Sequence, residues 1–349
     1  MPEKILVIRF SSFGDIMQCL PAVGALRMRN EHAHVHFATR TDFVEVVQAY
    51  RISQDQTSAP QAPINCVWAL DRKSGVRGLF RLILNLRRER YTHIYDAHSN
   101  LRSFLITSAL RLSCKFNLAR RPKRRIKRLL LFLFRINLFS KPFRGVDSYL
   151  EPLHEWLGDP GITGKFHSSF DCSTVTFATV RQRLPNDINQ WVAIVPGAAW
   201  PLKEWPKVHW QTLIQSLGSP VLVLGGKDDE ICKNLVAPSD AIRNLAGELT
   251  WLQCLSIISQ VKAIVAGDTG LMHAADLLAR PTVALIGPTA FGFPKQPTSR
   301  VLEVPLKCRP CTKDGRGRCR NKVYKACMTG IDPHRVAKTI HEVNDHAVI

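Results

Sequence analysis

The sequence is short of three things, and each shortage excludes something. It has no long hydrophobic run. The longest, such as residues 129–134, covers six positions, against about 20 for a membrane-spanning helix. It has no leader-like start: Ile5-Leu6-Val7-Ile8 runs directly into polar and glycine residues, where a secretory signal needs a longer apolar core and a small-residue cleavage site. A cytoplasmic location is therefore expected, with the ten cysteines reduced unless they hold metal. It is also poor in acid. Asp and Glu number 28 against 48 Lys and Arg, a formal net charge of +20, and residues 97–146 hold thirteen basic residues and no acidic one. Such an imbalance points to an acidic partner: nucleic acid, anionic lipid or a phosphorylated substrate. The rest is ordinary for a soluble globular protein, 45% apolar over 349 residues, enough for two domains.

Residues 4–8 read as a first strand. A polar turn, Arg9-Phe10-Ser11-Ser12-Phe13-Gly14-Asp15, follows, then helical spacing over 16–28 with Pro21 early in the helix. Further strands are expected at 34–38, 66–70 and 92–94, with helical patterns between them, as over 78–88. Alternating strand and helix predicts a parallel, doubly wound sheet. Asp15 then stands beyond the carboxyl end of the first strand, where such folds bind ligands. The same place suits an acidic residue that only caps the helix. Residues 158–173 read as an interdomain connection.

A second α/β pattern begins at 191–195, continues through Pro196-Gly197-Ala198 and Lys203-Glu204-Trp205-Pro206, and adds a helix near 208–217 and a strand at 221–224 ending in Gly225-Gly226. Residues 266–289, AGDTGLMHAADLLARPTVALIGPT, open just after the apolar run 263–265 and close with another, 282–286, and predict a strand–turn–helix–strand unit. Asp268-Thr269-Gly270 falls at the helix start, where free N–H groups favour an anion such as a diphosphate. His273 lies one turn further on and shares that side. A plain N-cap is the alternative. Two halves with glycines at strand ends suggest two domains facing a cleft.

The basic stretch is densest at Arg120-Arg121-Pro122-Lys123-Arg124-Arg125 and runs into the apolar residues 129–134. That combination suits a segment lying on an anionic membrane, or a solvated helix packing its apolar side on its own domain. Charge alone also fits nucleic acid, but no RNA- or DNA-binding signature accompanies it. Cys308, Cys311, Cys319 and Cys327 form C-x2-C-x7-C-x7-C. This spacing is open to a structural zinc, to an iron–sulfur centre or to reduced thiols. Asp332-Pro333 starts a final helix.

Three separated motifs, ILVIRFSSFGDIMQCLPAV (5–23), VPGAAWPLKEWP (195–206) and GDTGLMHAADLLARPTVALIGPT (267–289), together resemble the lipopolysaccharide heptosyltransferases, glycosyltransferase family 9. The resemblance implies a GT-B fold: an acceptor-binding Rossmann-like domain over 1–175 and a donor-binding one over 185–349, whose final helix is open to packing back on the first. It implies inverting transfer of a sugar, typically from ADP-heptose, to the lipid A-linked inner core of lipopolysaccharide at the inner face of the inner membrane. Asp15 would be the general base and Lys203 would bind the donor phosphates. Asp268, Thr269, Gly270 and His273 would line the donor pocket, and Glu230 would hold a donor hydroxyl. Arg120, Arg121, Arg124 and Arg125 would meet the acceptor or membrane. Catalysis would need no metal, leaving any zinc structural. The alternatives are a transferase of this fold with another nucleotide-sugar donor, and a non-catalytic basic protein that binds membrane or nucleic acid.

Overall fold

A computed structural model describes residues 2–55, 57–159, 161–177, 184–233, 235 and 241–345. The chain divides into two compact units. One comprises Met1–Arg124 and Val146–Ser173, the other Arg125–Gly145 and Thr174–Ile349.

In the first unit β1 (Lys4–Ile8), α1 (Phe13–Arg29), β2 (His34–Arg40), α2 (Val44–Ala49), β3 (Tyr50–Ser53), β4 (Cys66–Leu70), α3 (Gly75–Arg88), β5 (His93–Asp96), α4 (Leu101–Arg111) and β6 (Asn117–Arg120) follow one another. Five strands form a parallel sheet in the order β4-β2-β1-β5-β6. β1 is central and wholly buried from Ile5 to Ile8, as expected of a parallel strand covered on both faces. Its neighbours β2 and β5 lie on opposite sides, so the strand order reverses between β1 and β5, and this is the switch point at which such sheets bind ligands.

Residues 125–145, expected in the first domain, cluster with the second unit. They open with α5 (Arg125–Leu133). Leu131, Phe139 and Phe143 form a small core with Phe132 and Phe291. Arg135 donates to the carbonyls of Cys308 and Pro310, at 3.2 and 2.7 Å. An aromatic cluster of this kind needs its missing wall from Phe291, and that requirement decides the segment's allegiance. The chain then continues through α6 (Gly145–Leu150), α7 (His154–Leu157) and β7 (His167–Phe170). β7 pairs antiparallel with β3, Tyr50 opposite Phe170, so part of the stretch read as a connection is a strand of the first unit.

The second unit contains β8 (Val192–Val195), α8 (Lys207–Ser216), β9 (Val221–Val223), α9 (Glu230–Lys233), β10 (Ile242–Asn244), α10 (Trp251–Ile258), β11 (Ala263–Gly267), α11 (Gly270–Leu277), β12 (Thr282–Leu285), β13 (Ser299–Leu302), α12 (Ala326–Thr329) and α13 (Pro333–Asp345). Six parallel strands run in the order β10-β9-β8-β11-β12-β13, with the switch point between β8 and β11. α13 packs on α8 and the strands β11 to β13. Its Val336, Ile340 and Val343, spaced at one helical face, enter this unit's core beside Trp205 and Trp210.

Candidate active site

Each switch point carries a buried or half-buried ion pair, Arg9–Asp15 after β1 in the first unit and Lys203–Asp268 after β8 and β11 in the second.

In the first unit the loop after β1 supplies Arg9 and the first turn of α1 supplies Asp15. Asp15 stands at the third position of α1 and accepts from the Ser12 N–H at 3.1 Å and the Ser12 hydroxyl at 2.8 Å, so the capping role is real. It does more than cap. Arg9 Nη2 pairs with its Oδ2 at 2.7 Å, and the Tyr149 hydroxyl donates to Oδ1 at 2.9 Å. Arg9 is itself buried and donates from Nη1 to the Ala97 carbonyl, at 2.8 Å, in the loop after β5, so the arginine ties both sides of the switch point. Burial would raise the Asp15 pKa, but the charges of Arg9 and Arg121 and the Ser12 hydrogen bonds hold it well below the usual carboxylate range. The side chain remains 35% exposed, so the ionised carboxylate is reachable.

Three of the four arginines assigned to acceptor or membrane have intramolecular partners. Arg120 pairs with buried Asp96 at 3.0 Å. Arg121 donates to Ser148 at 2.7 Å and lies 3.8 Å from the Tyr149 ring centre, and Arg124 pairs with Glu151. Arg125 is exposed at the start of α5.

In the second unit the loop after β8 supplies Lys203 and the loop after β11 supplies Asp268. Lys203 Nζ meets Asp268 Oδ2 at 2.7 Å and its carbonyl at 2.9 Å. Thr289, after β12, donates to Oδ2 at 2.8 Å, and His273 Nε2 lies 3.5 Å from Oδ1. Burial opposes ionisation of Asp268, yet Lys203 and His273 carry its pKa well below the ordinary range. Thr269 is the N-cap of α11, its hydroxyl accepting from Met272 N–H at 3.4 Å. The first N–H groups of a helix such as α11 have no partner within the helix and suit an anion. Two glycines make room for the pair. A Cβ on Gly292 would collide with the Asp268 carboxylate, and one on Gly315, at φ +95°, would come within 2.8 Å of Lys203 Cγ. Motif reading found Lys203, Asp268 and His273 but not Thr289, Gly292 or Gly315. Thr289 closes the third motif and was available as a signal; the two loop glycines carried none.

Glu230 stands apart from this group of contacts. Its side chain is 75% exposed at the start of α9 and pairs with Lys233 at 2.5 Å. Its neighbour Asp229 is the structural carboxylate, accepting the Gly226 N–H at 2.7 Å and filling the space beside Gly197 and Gly225. A cavity of about 390 Å³ opens beyond β9 and β10, lined by Gly226, Lys227, Lys233, Arg243, Asn244 and Glu248 among others. It lies at the same carboxyl edge of the sheet as Lys203 and Asp268.

The zinc expectation has no support in the arrangement of the cysteines. Their thiols are near enough for Cys308, Cys311 and Cys319 to help push that of Cys327 up to about 11, after burial. Yet no group of three or more Cys, His, Asp or Glu among the described residues is placed to hold a metal ion. The sulfurs have other neighbours: Lys325 N–H lies 3.3 Å from Cys319 Sγ, Asn321 Nδ2 3.6 Å from Cys308 Sγ, and the Cys311 thiol 3.9 Å from the Pro288 carbonyl.

Two parallel, doubly wound α/β units, each with its polar site at a switch point, define the GT-B class of glycosyltransferase folds. Within that class the chain belongs to glycosyltransferase family 9 (heptosyltransferase), whose model matches residues 79–325. It is 33% identical over 164 residues to lipopolysaccharide heptosyltransferase 2 of Salmonella typhimurium, covering 44% of this chain and 46% of the relative. It is 38% identical over 162 residues to lipopolysaccharide heptosyltransferase 2 of Escherichia coli, covering 43% and 45%. The matched region thus spans a little under half the length of these curated relatives. Among solved structures it shares its fold with the E. coli ADP-heptose lps heptosyltransferase II, at a TM-score of 0.70 and 22% identity over 99% of this chain and 100% of that one.

Proposed function

We propose that the protein is an inverting glycosyltransferase that moves a heptose from ADP-heptose to the lipid A-linked inner core of lipopolysaccharide, working from the cytoplasmic side at the inner membrane. The second unit would hold the donor and the first the acceptor. The observation that carries this reading is the Lys203–Asp268 pair across the switch point of the second sheet, in a family 9 domain. A lysine held beside the N-terminus of α11 is a preformed site for a diphosphate, which gains negative charge as it leaves. Asp268 neutralises that lysine; a bound donor would take over part of this role. The cavity beyond β9 and β10 offers room for the nucleoside, and Glu230, at its rim in sequence, is read as a contact to a donor hydroxyl.

Asp15 is read as the base. A carboxylate held at low pKa is a weak base towards a free alcohol. The acceptor hydroxyl, however, becomes strongly acidic as its oxygen bonds to the anomeric carbon while the ADP departs from the opposite face, so a weak, permanently ionised base suffices. The proton passes to Asp15, the electrons of the broken bond leave with ADP, and the configuration inverts. This scheme calls for no cofactor. Arg121, beside Tyr149 and close enough to act on Asp15, is read as an arginine that meets a phosphate of the acceptor.

The test is transfer from a panel of nucleotide sugars to inner-core acceptor, read by mass spectrometry of the glycolipid. Heptose added from ADP-heptose alone supports the reading. Transfer only from another nucleotide sugar would keep the fold assignment and remove the donor assignment.

A further inference from the structure

The outer face of α3 is built the wrong way round for a helix that only meets water. Its inner stripe, Leu79, Leu82, Ile83 and Leu86, packs into the core of the first unit. A second apolar stripe, Val76, Phe80 and Leu84, recurs every four residues and points outward, with exposures of 82%, 61% and 41%. Arg77, Arg81 and Arg88 run alongside it, all exposed. The neighbouring α4, which packs on α3, repeats the pattern. Leu101, Phe104, Leu105 and, just past its end, Leu112 are exposed, as are Arg102 and Arg111 of the same segment. Acidic charge is nearly absent. From 72 to 115 the only carboxylates are Glu89, which pairs with Lys4, and Asp96, which is buried and pairs with Arg120.

We infer that the joint outer face of α3 and α4 is a docking surface for an anionic lipid bilayer, with Val76, Phe80, Leu84, Leu101 and Phe104 entering the acyl boundary and the flanking arginines binding headgroup phosphates. Charge complementarity selects this occupant. A second copy of the same face would bring arginine against arginine, which opposes self-association. Nucleic acid would match the charge but leave the aliphatic stripe unburied. Exposed apolar side chains beside cations on a packed helix pair match the interfacial layer of a membrane, which offers phosphate and hydrocarbon at adjacent depths. Of the arginine run 120–125 only Arg120 adjoins this surface, its guanidinium 5.7 Å from the Phe104 ring centre; it, Arg121 and Arg124 have partners within the chain. The inference concerns attachment and does not depend on which sugar is transferred.

Flotation of the full chain with phosphatidylglycerol-containing and with purely phosphatidylcholine vesicles tests it. The parent should float with the anionic vesicles and stay down with the neutral ones. Arg77→Gln with Arg81→Gln should weaken partitioning about thirtyfold, at the usual worth of a basic residue near an anionic surface. Phe80→Ser with Leu84→Ser should weaken it by about tenfold or more without altering the salt dependence that remains. Both pairs are exposed, and thermal melting confirms that they fold. Undiminished flotation of either double variant, or equal flotation of the parent with neutral vesicles, overturns the inference. So does a shift of the parent to dimers that Phe80→Ser abolishes, or retention of binding only to nucleic acid. Transfer to a deacylated, water-soluble acceptor should be the same in parent and variants; loss of that activity would indicate damage to the transfer site instead of detachment.

Discussion

Replacing Asp15 by Asn separates a base from a cap, and the structure sets the size of each effect. Asn can keep its Oδ1 towards the Ser12 N–H and hydroxyl, while its Nδ2 faces the Tyr149 hydroxyl, which then turns to accept. What it cannot keep is the charge opposite Arg9, 2.7 Å away in the parent. Removing one member of a fully buried pair costs about 3–5 kcal/mol. Here Asp15 is 35% exposed and Arg9 retains the Ala97 carbonyl, so we expect about 1–2 kcal/mol of stability lost. The effect on transfer should be larger and of another kind, roughly 10²–10⁴-fold in rate, equivalent to about 3–5 kcal/mol of barrier. The assay is single-turnover transfer with donor and acceptor saturating, at a temperature where melting shows the variant fully folded. Donor affinity should be unchanged, because the base acts on the acceptor. In the parent, the rate should hold as the pH falls from 7 towards 5. The folded pKa of Asp15 is depressed, so the carboxylate stays ionised throughout that window. A folded Asn variant within a few-fold of the parent would refute the argument and leave the Arg9–Asp15–Tyr149 group as a cap and brace.

Lys203→Ala should weaken donor binding by about tenfold or more, the worth of a charge-assisted contact; isothermal titration with unchanged affinity would remove it from the site. Gly292→Ala drives a methyl into the Asp268 carboxylate and should cripple donor binding, whereas Gly164→Ala, with nothing within 4 Å of its new Cβ, should be silent; equal behaviour of the two would break the packing argument. Burial first, then the charge of Arg9, lowers the His98 pKa from 6.5 to about 4. The folded chain therefore binds fewer protons there than the unfolded one between those values, and stability should fall as pH drops through that window, by something of order 2 kcal/mol. Urea midpoints at pH 7 and 4.5 measure this, and His98→Gln should flatten the difference; an unflattened slope would assign the loss elsewhere. Prolonged chelation should leave the melting temperature unchanged; a drop accompanied by released zinc would reinstate a metal at Cys308, Cys311, Cys319 and Cys327.

Local pattern decided which segments are strands and which are helices wherever the apolar run is continuous. The residues 4–8 and 66–70 are the strands Lys4–Ile8 and Cys66–Leu70; β1 is apolar from Ile5 to Ile8 because a central parallel strand is covered on both faces, while β4 is an edge strand whose apolar run is only partly buried. The same reasoning put Asp15 and Asp268 at strand ends. It overlooked β3 and β7, four residues each and partly exposed, and the short strands β6, β10 and β13, since three or four residues leave too little periodicity to read. Tertiary structure alone decided the partners. Tyr149 reaches Asp15 across 134 positions, Lys203 meets Asp268 across 65, and residues 125–145 join the unit that offers Phe291. It also decided the orientation of α3. Both Leu79-Leu82-Ile83-Leu86 and Val76-Phe80-Leu84 satisfy the helical period, so the sequence determined that there would be an amphipathic helix with two apolar stripes. Only packing against β4 and α4 determined which stripe is buried, because a helix beside a sheet can turn just one face inward.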